Sequence, residues 1–239
     1  MERNTAKRTL EKLLSVCICL CMLGAMLPAQ VFAEEADTAQ TETVQDTTPK
    51  DTVYLSSADD LIQLAENCRL DSWSQNRTVV LEADIDLSSV DFNGIPSFGG
   101  TWEGQNHAIT GLSLSQDGSV QGLFRYVQQG ALVRDMTVKG RIKPGGTRAS
   151  VGGIAGSNAG TIENCAFDGV VSGTSQIGGI AGVNTVKGSI NGCTVSGTVY
   201  GSHFVGGVVG QNDGVAANCT NAASVNTTVS QNEVKLNDL

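Results

Sequence analysis

The stretch VGGIAGSNAGTIENC, residues 151–165, is followed by IGGIAGVNTVKGSINGC at 177–193 and VGGVVGQNDGVAANC at 205–219. Laid one above another, Val151, Ile177 and Val205 coincide. So do Gly153, Gly179 and Gly207, then Asn158, Asn184 and Asn212, then Cys165, Cys193 and Cys219. The unit is 26 residues, with two extra in the middle copy between Asn184 and Gly188. A fixed period of this length marks a repeat architecture in which each copy is one structural unit. Helical units are excluded by the glycines at fixed places, each costing about 1 kcal/mol in a helix interior. What lies between them is strand-length and rich in Val and Thr: GVVSGT at 169–174, TVSGTVYG at 194–201 and FVGGVVG at 204–210. The fold expected is all-β, a parallel β-helix or β-solenoid of short Gly-rich coils. Each strand then pairs with its equivalent one coil away, at about 4.8 Å.

Individual positions carry further expectations. Asn164, Gly192 and Asn218 share the slot before the Cys. Asn and Gly best tolerate left-handed backbone, so this slot is a corner. The Asn158, Asn184 and Asn212 column is either a second corner or an inward ladder of side-chain amides. The Cys column allows buried thiols, a disulfide or a metal site. Buried thiols fit best, because in-register stacking holds Cβ atoms about 4.8 Å apart, wider than a disulfide prefers. No C-x-x-C supports a metal.

These motifs resemble the GLUG-motif repeats of bacterial exported and surface proteins, repeats found also in the non-catalytic part of immunoglobulin-A-specific metallopeptidases. The likeness is close over 150–222 and looser over the lead-in 70–149, which contains ADIDL and FGGTWEGQNHAITGLSL. The resemblance implies a right-handed β-helix, a place at the cell surface and no catalytic residues. The chain has no H-E-x-x-H and two His in all, His107 and His203.

Residues 1–33 read as a secretory signal peptide: a basic start with Arg3, Lys7, Arg8 and Lys12, an apolar run from Leu13 to Leu27, and Ala33 before acidic residues. Its removal takes away Cys17, Cys19 and Cys21 and leaves no membrane span. It carries four basic and two acidic residues, so the net charge moves from −9 to −11. An exported protein of that sign is a poor partner for nucleic acid or anionic membranes. Residues 34–50, acidic and Thr-rich, are expected to be a disordered spacer. The solenoid domain is expected over 51–230, with about five to six coils by length over period, and 231–239 is a polar tail.

Ahead of the lead-in, Ser57 to Cys68 reads as a helix. Ala58, Leu61, Ile62, Ala65 and Cys68 share a face, and the helix would cap the solenoid's N-terminal end. Thr78 to Leu87 alternates as one half-buried strand. Its outward Asp84 and Asp86 are the weak candidates for a cation site or an acid–base pair, ordinary solvation being the plainer reading. Asp91 to Ser119 begins as loop; Trp102 within it is a core anchor or, as a weak binding candidate, a sugar-stacking platform. His107 beside Glu103 reads as a turn residue. Residues 120–141 are a degenerate repeat that aligns Phe124 with Ala155, Val133 with Ile162 and Met136 with Cys165, and puts Asp135 in the corner slot.

Two functions compete. The first is a secreted or cell-surface, non-catalytic module: an adhesin, a glycan- or protein-binding domain, or a stalk, with glycans or surface proteins as partners and no cofactor. Between Val151 and Asn221 only Glu163, Asp168, Lys187 and Asp213 are charged, which suits hydrogen-bonded contact. The alternative is a β-helix polysaccharide-degrading enzyme, which needs carboxylates, or a carboxylate with Arg or Lys, clustered across coils. No acidic residue recurs through the three regular copies.

Overall fold

The computed structural model describes residues 51–146 and 148–226. The signal peptide, spacer and polar tail expected from the sequence lie outside the described residues. The chain opens with β1 (Thr52–Leu55) and α1 (Ala58–Asn67), then winds. The next two turns contain β2 (Thr78–Leu81), β3 (Ile85–Asp86) and β4 (Ile95–Phe98), then β5 (Thr101–Glu103), β6 (Ala108–Leu114) and β7 (Phe124–Val127). From there each full turn has four strands: β8 (Leu132–Arg134), β9 (Thr137–Ile142), β10 (Ala149–Gly152) and β11 (Ala155–Asn158); β12 (Thr161–Glu163), β13 (Ala166–Ser172), β14 (Ser175–Gly178) and β15 (Ala181–Asn184); β16 (Ser189–Asn191), β17 (Thr194–Tyr200), β18 (His203–Gly206) and β19 (Val209–Asn212). The last described turn holds β20 (Val215–Ala217), β21 (Thr220–Asn221) and β22 (Ser224–Val225).

Equivalent strands stack in parallel into four sheets, a β-solenoid of about six turns. The first sheet runs β1-β2-β5-β8-β12-β16-β20. The second runs β3-β6-β9-β13-β17-β21, with β22 also on β17; the third is β10-β14-β18; the fourth is β4-β7-β11-β15-β19. Register follows the sequence repeat: Val151 pairs with Ile177 and Ile177 with Val205, and Asn158 with Asn184 and Asn184 with Asn212. The degenerate copy is in register too, with Phe124 on Ala155 and Val133 on Ile162. Inward side chains form the columns of the core. Along the first sheet these are Val79, Trp102, Val133, Ile162 and Ile190, all fully buried.

Two structural devices keep the coils close. The slot before the Cys is a left-handed corner in every copy: Asp135, Asn164, Gly192 and Asn218 have φ of 57°, 51°, 65° and 54°. The second glycine of each Gly-Gly pair makes room for the core. A Cβ on Gly153 would stand 2.2 Å from the Gly179 carbonyl oxygen and 2.3 Å from the Phe167 ring.

The helix expected at 57–68 is present as α1, with Ser57 as its N-cap. The Ser57 hydroxyl accepts from the Asp60 N–H at 3.2 Å. The returning bond differs from the expected capping box: the Asp60 carboxylate accepts from the N–H of Ser56, one residue earlier, at 3.0 Å. The buried stripe is Leu61, Leu64 and Cys68, with Ala58, Ile62 and Ala65 at its margins. The helix packs beside β1 and beside β4, the edge strand of the fourth sheet, and so occupies the place a strand of that sheet would take in the first coil.

Three expectations need correction. The solenoid begins earlier than the lead-in at residue 70, because β1 pairs in register with β2 before the helix starts. Thr78 to Leu87 is two strands, not one; the chain bends at Glu82–Asp84 and carries β3 into the second sheet. Buried positions on both sides of the bend preserved the alternation that made it read as continuous. The loop expected after Asp91 contains β4, whose Pro96 and flanking Gly94 and Gly99 mask it as turn.

Candidate functional site

The repeated polar positions are structural. Asn158 and Asn184 are wholly buried and form an inward ladder. The Asn158 amide nitrogen donates to Asn184 Oδ1 at 2.8 Å, and that of Asn184 donates to Asn212 Oδ1 at 2.7 Å. Of the two readings left open, the structure shows the ladder. Cys165, Cys193 and Cys219 are free thiols, the first two buried and the third half-buried. Burial raises Cys193 to about 12 and pushes Cys165 further up still.

The Trp102 sugar-platform reading is corrected. Its side chain is wholly buried, edge-on to Phe98 at 5.9 Å and to Phe124 at 5.2 Å, so no ring face is open to a ligand. Asp84 and Asp86 are exposed but bond different partners. Asp84 accepts from the Ala108 N–H at 2.8 Å and meets His107 Nδ1 at 3.1 Å. Asp86 accepts from the N–H and hydroxyl of Ser88, both at 2.9 Å. These backbone bonds, first that of Ala108 and first that of Ser88, hold both carboxyls below their ordinary value. Each carboxylate pins a neighbouring segment. His107 therefore pairs with Asp84, in the coil before it, rather than with Glu103.

Glu103 has another partner, one that sequence spacing did not reveal. Glu103, Arg134 and Glu163 are register neighbours along the outer face of the first sheet. Arg134 donates to both Glu103 oxygens, at 2.7 and 2.8 Å, and lies 3.9 Å from Glu163 and 3.7 Å from Asp135. Glu103 and Arg134 lie in the irregular copies, so the search for an acidic residue recurring through the three regular copies missed this charge ladder.

The most site-like feature lies between α1 and the outer face of the fourth sheet. Two adjoining clefts, of about 350 and 660 Å³, share Pro96 and Arg125. The smaller is walled by Ile62, Ala65 and Arg69 of α1 or its C-terminal end and by Asp91, Phe92 and Asn93 before β4. The larger carries Tyr126 of β7, Ser97 of β4 and Ser157 of β11, with Asp71, Gln75 and Gln128 beside them. Volumes of this size are in the range of small-molecule sites. Tyr126 is 49% exposed, and its register partners in the adjacent coils are the small Ser97 and Ser157.

One wall of the larger cleft is built by Gln128. Its amide nitrogen donates to the Asp71 carbonyl and to Ser97 Oγ, both at 2.7 Å, and its carbonyl accepts from Gln75 at 2.9 Å. Gly99 leaves the space this needs, since a Cβ there would stand 2.5 Å from Gln128 Oε1. Ser74 Oγ accepts from the Gly99 N–H at 2.9 Å. The loop after α1 is thereby fixed to the solenoid. By contrast, Arg125 Nε is buried without a hydrogen-bond partner. Among the described residues, the side chains of Tyr126, Ser157, Asp91 and Asn93 also lack a bonded partner. No motif marks this site in the sequence: its lining comes from the helix, the loop after it, the stretch after Asp91, the degenerate repeat at 120–141 and the first regular copy.

Fold and register define a class, the Gly-rich parallel β-solenoid repeat proteins. The GLUG motif model matches residues 147–172, the coil β10–β13, so the chain carries a GLUG motif in that coil. Over 152 residues, 56% of the chain, it is 29% identical to halomucin of Haloquadratum walsbyi. The chain spans 2% of that relative's length. No solved structure matches the chain. Among the described residues no helix is long and apolar enough to cross a membrane.

Proposed function

We propose that this chain is an exported, cell-surface, non-catalytic module: a rigid solenoid body that presents a contact surface to glycans or surface proteins. The observation that carries this reading is the in-register stack itself. Its recurring positions all serve the scaffold, in the Asn ladder, the Cys column and the left-handed corners. The outer surface of the regular coils is then left mainly to Ser, Thr, Asn and Gly with little charge, broken by the exposed Val186, Tyr200, Phe204 and Val215. The basic start and apolar run of residues 1–33 support export, and the likeness to halomucin supports a surface location. The negative net charge argues against nucleic acid as a partner. The test is protease shaving of intact cells that express the whole chain: its peptides should be released without lysis. Recovery of the chain only from the cell interior would overturn the proposal.

A second reading, a polysaccharide-degrading enzyme, is favoured by the Glu103–Arg134–Glu163 ladder. Two carboxylates two rungs apart are separated by roughly 10 Å along the stack, near the upper limit for an inverting glycosidase pair. Arg134 argues against it, since its guanidinium, bidentate on Glu103, fills the space in which a catalytic water would stand. Release of reducing ends from a polysaccharide, lost in Glu103→Gln with folding unchanged, would replace the first reading by this one.

A further inference from the structure

The geometry points to the paired clefts beside α1 as a binding site for a neutral glycan, with Tyr126 as the stacking platform and Arg125 as the central hydrogen-bond donor. The inference deepens the surface-module reading by naming a site and a ligand class. It begins from an unsatisfied group. A buried donor without a partner is destabilising, and persists where a ligand or water completes it. The Nε of Arg125 is such a group, in a side chain that is otherwise partly exposed and lines both clefts.

The other lining groups fit the same ligand. A sugar ring offers an apolar C–H face and a rim of hydroxyls. Tyr126, half exposed between two serines, supplies a flat apolar surface with a polar end. Arg125 and Asn93 supply planar donors, and Asp91 an acceptor. Ser157 can donate or accept. Gln128 is excluded, because its amide is fully engaged in holding the wall.

Charge decides between classes of glycan. Arg69 is tied to Glu66 at 2.8 Å, which leaves Arg125 to face Asp91 in one cleft and Asp71 in the other. A polyanionic chain would meet those carboxylates and a protein of net charge −9. A cationic ligand would meet Arg125. A neutral polyol uses both signs at once, with the Arg donating to one hydroxyl and the Asp accepting from another.

The test uses the whole chain, titrated by calorimetry with cellotriose, maltotriose and N,N′,N″-triacetylchitotriose, with trigalacturonate as the acidic comparison. The expected result is saturable binding of at least one neutral trisaccharide. Tyr126→Ala and, independently, Ser157→Trp, which fills the cleft from the neighbouring coil, should each weaken it by about tenfold or more. Tyr200→Ala, an exposed tyrosine on the second sheet, should leave it within about twofold. Circular dichroism of each variant checks that it is folded, and the Ser157 variant keeps the test alive should the Tyr126 variant fail to fold. The assignment is overturned if no neutral trisaccharide binds the folded protein, if trigalacturonate alone binds, or if binding survives in a folded cleft variant. Cell shaving stays a separate readout, so a surface protein with an empty cleft is distinguishable from a protein that is not at the surface.

Discussion

Replacing Asn158 by alanine tests the claim that the asparagine column is structural. Asn158 is wholly buried and serves two coils. Its Oδ1 accepts from the Gly160 N–H at 3.1 Å, a bond that closes the turn into β12. Its Nδ2 donates to Asn184 Oδ1 at 2.8 Å. In Asn158→Ala both the Gly160 N–H and Asn184 Oδ1 lose these partners. Each orphaned buried group costs about 1–3 kcal/mol, so the expected loss is about 2–6 kcal/mol, a large part of a domain's stability. Asn212→Ala removes the end of the same column. There Asn184 Nδ2 keeps the Val215 carbonyl at 3.1 Å and that of Gly188 at 3.3 Å, and Asn212 itself is exposed. The expected cost is about 1 kcal/mol or less. Urea unfolding of both variants, followed by far-ultraviolet circular dichroism, gives the comparison directly, provided the denaturant slope is unchanged. A cost for Asn158→Ala within about 0.5 kcal/mol of zero, or one equalled by Asn212→Ala, would refute the ladder argument.

Other consequences can be checked in the same preparations. Gly153→Ala should destabilise by about 3 kcal/mol or more, because the new methyl meets backbone of the next coil as well as the Phe167 ring; a melting temperature close to wild type would contradict the packing. Peptide mapping after brief treatment with a thiol reagent at mildly alkaline pH should find Cys219 labelled first. Burial keeps Cys193, raised to about 12, and Cys68, raised to about 11, as unreactive thiols until the chain unfolds. Asp60, Asp84 and Asp86 are all held below the ordinary 3.8 by hydrogen bonds they accept in the folded state. Their contribution is therefore complete above that value and is lost as pH falls through the lower folded values. Stability should stay level through neutral pH and fall in the acid limb below about pH 4, and Asp84→Asn with Asp86→Asn should flatten that limb.

The regular coils were legible because their constraints are local and recur. A left-handed corner admits Asn, Asp or Gly, and those residues stand at 135, 164, 192 and 218. The Cys column and the Gly-Gly pairs follow from the same close stacking. What the sequence hid depended on contacts between coils that differ. Trp102 could be placed only once Phe98 and Phe124 were known to flank it from their own strands. Arg134 joins Glu103 across 31 residues, and Gln128 ties Asp71 across 57, with no periodic trace in either. The strand at 95–98 was missed because its Pro and flanking Gly serve the cleft and the close approach of Gln128, and turn residues used for that purpose read as a turn.

The same contrast explains why the candidate site lies where the repeat is weakest. In a solenoid each outward position has an equivalent one coil above and one below. Where the sequence repeats, these equivalents match, as Thr161 matches Ser189 on the first sheet. Such columns give stacking energy and a uniform surface, which has no reason to prefer one ligand geometry over another. A binding site needs unlike groups side by side. The column Ser97, Tyr126, Ser157, Val183, Gln211 supplies them, because adjacent coils contribute unlike residues at one register position. The helix of the first coil then turns this varied column into a cleft, since α1 stands where a strand would otherwise have continued the fourth sheet. On this argument the regular copies build the rigid body and set the spacing, while the irregular lead-in, whose loop after α1 is tied down by Gln128 and Ser74, carries the selectivity. Exchanging the two regular coils beyond Ser157 for one another should thus leave sugar binding intact. Restoring the repeat at the Tyr126 position, by putting Ser there as in the next coil, should remove it.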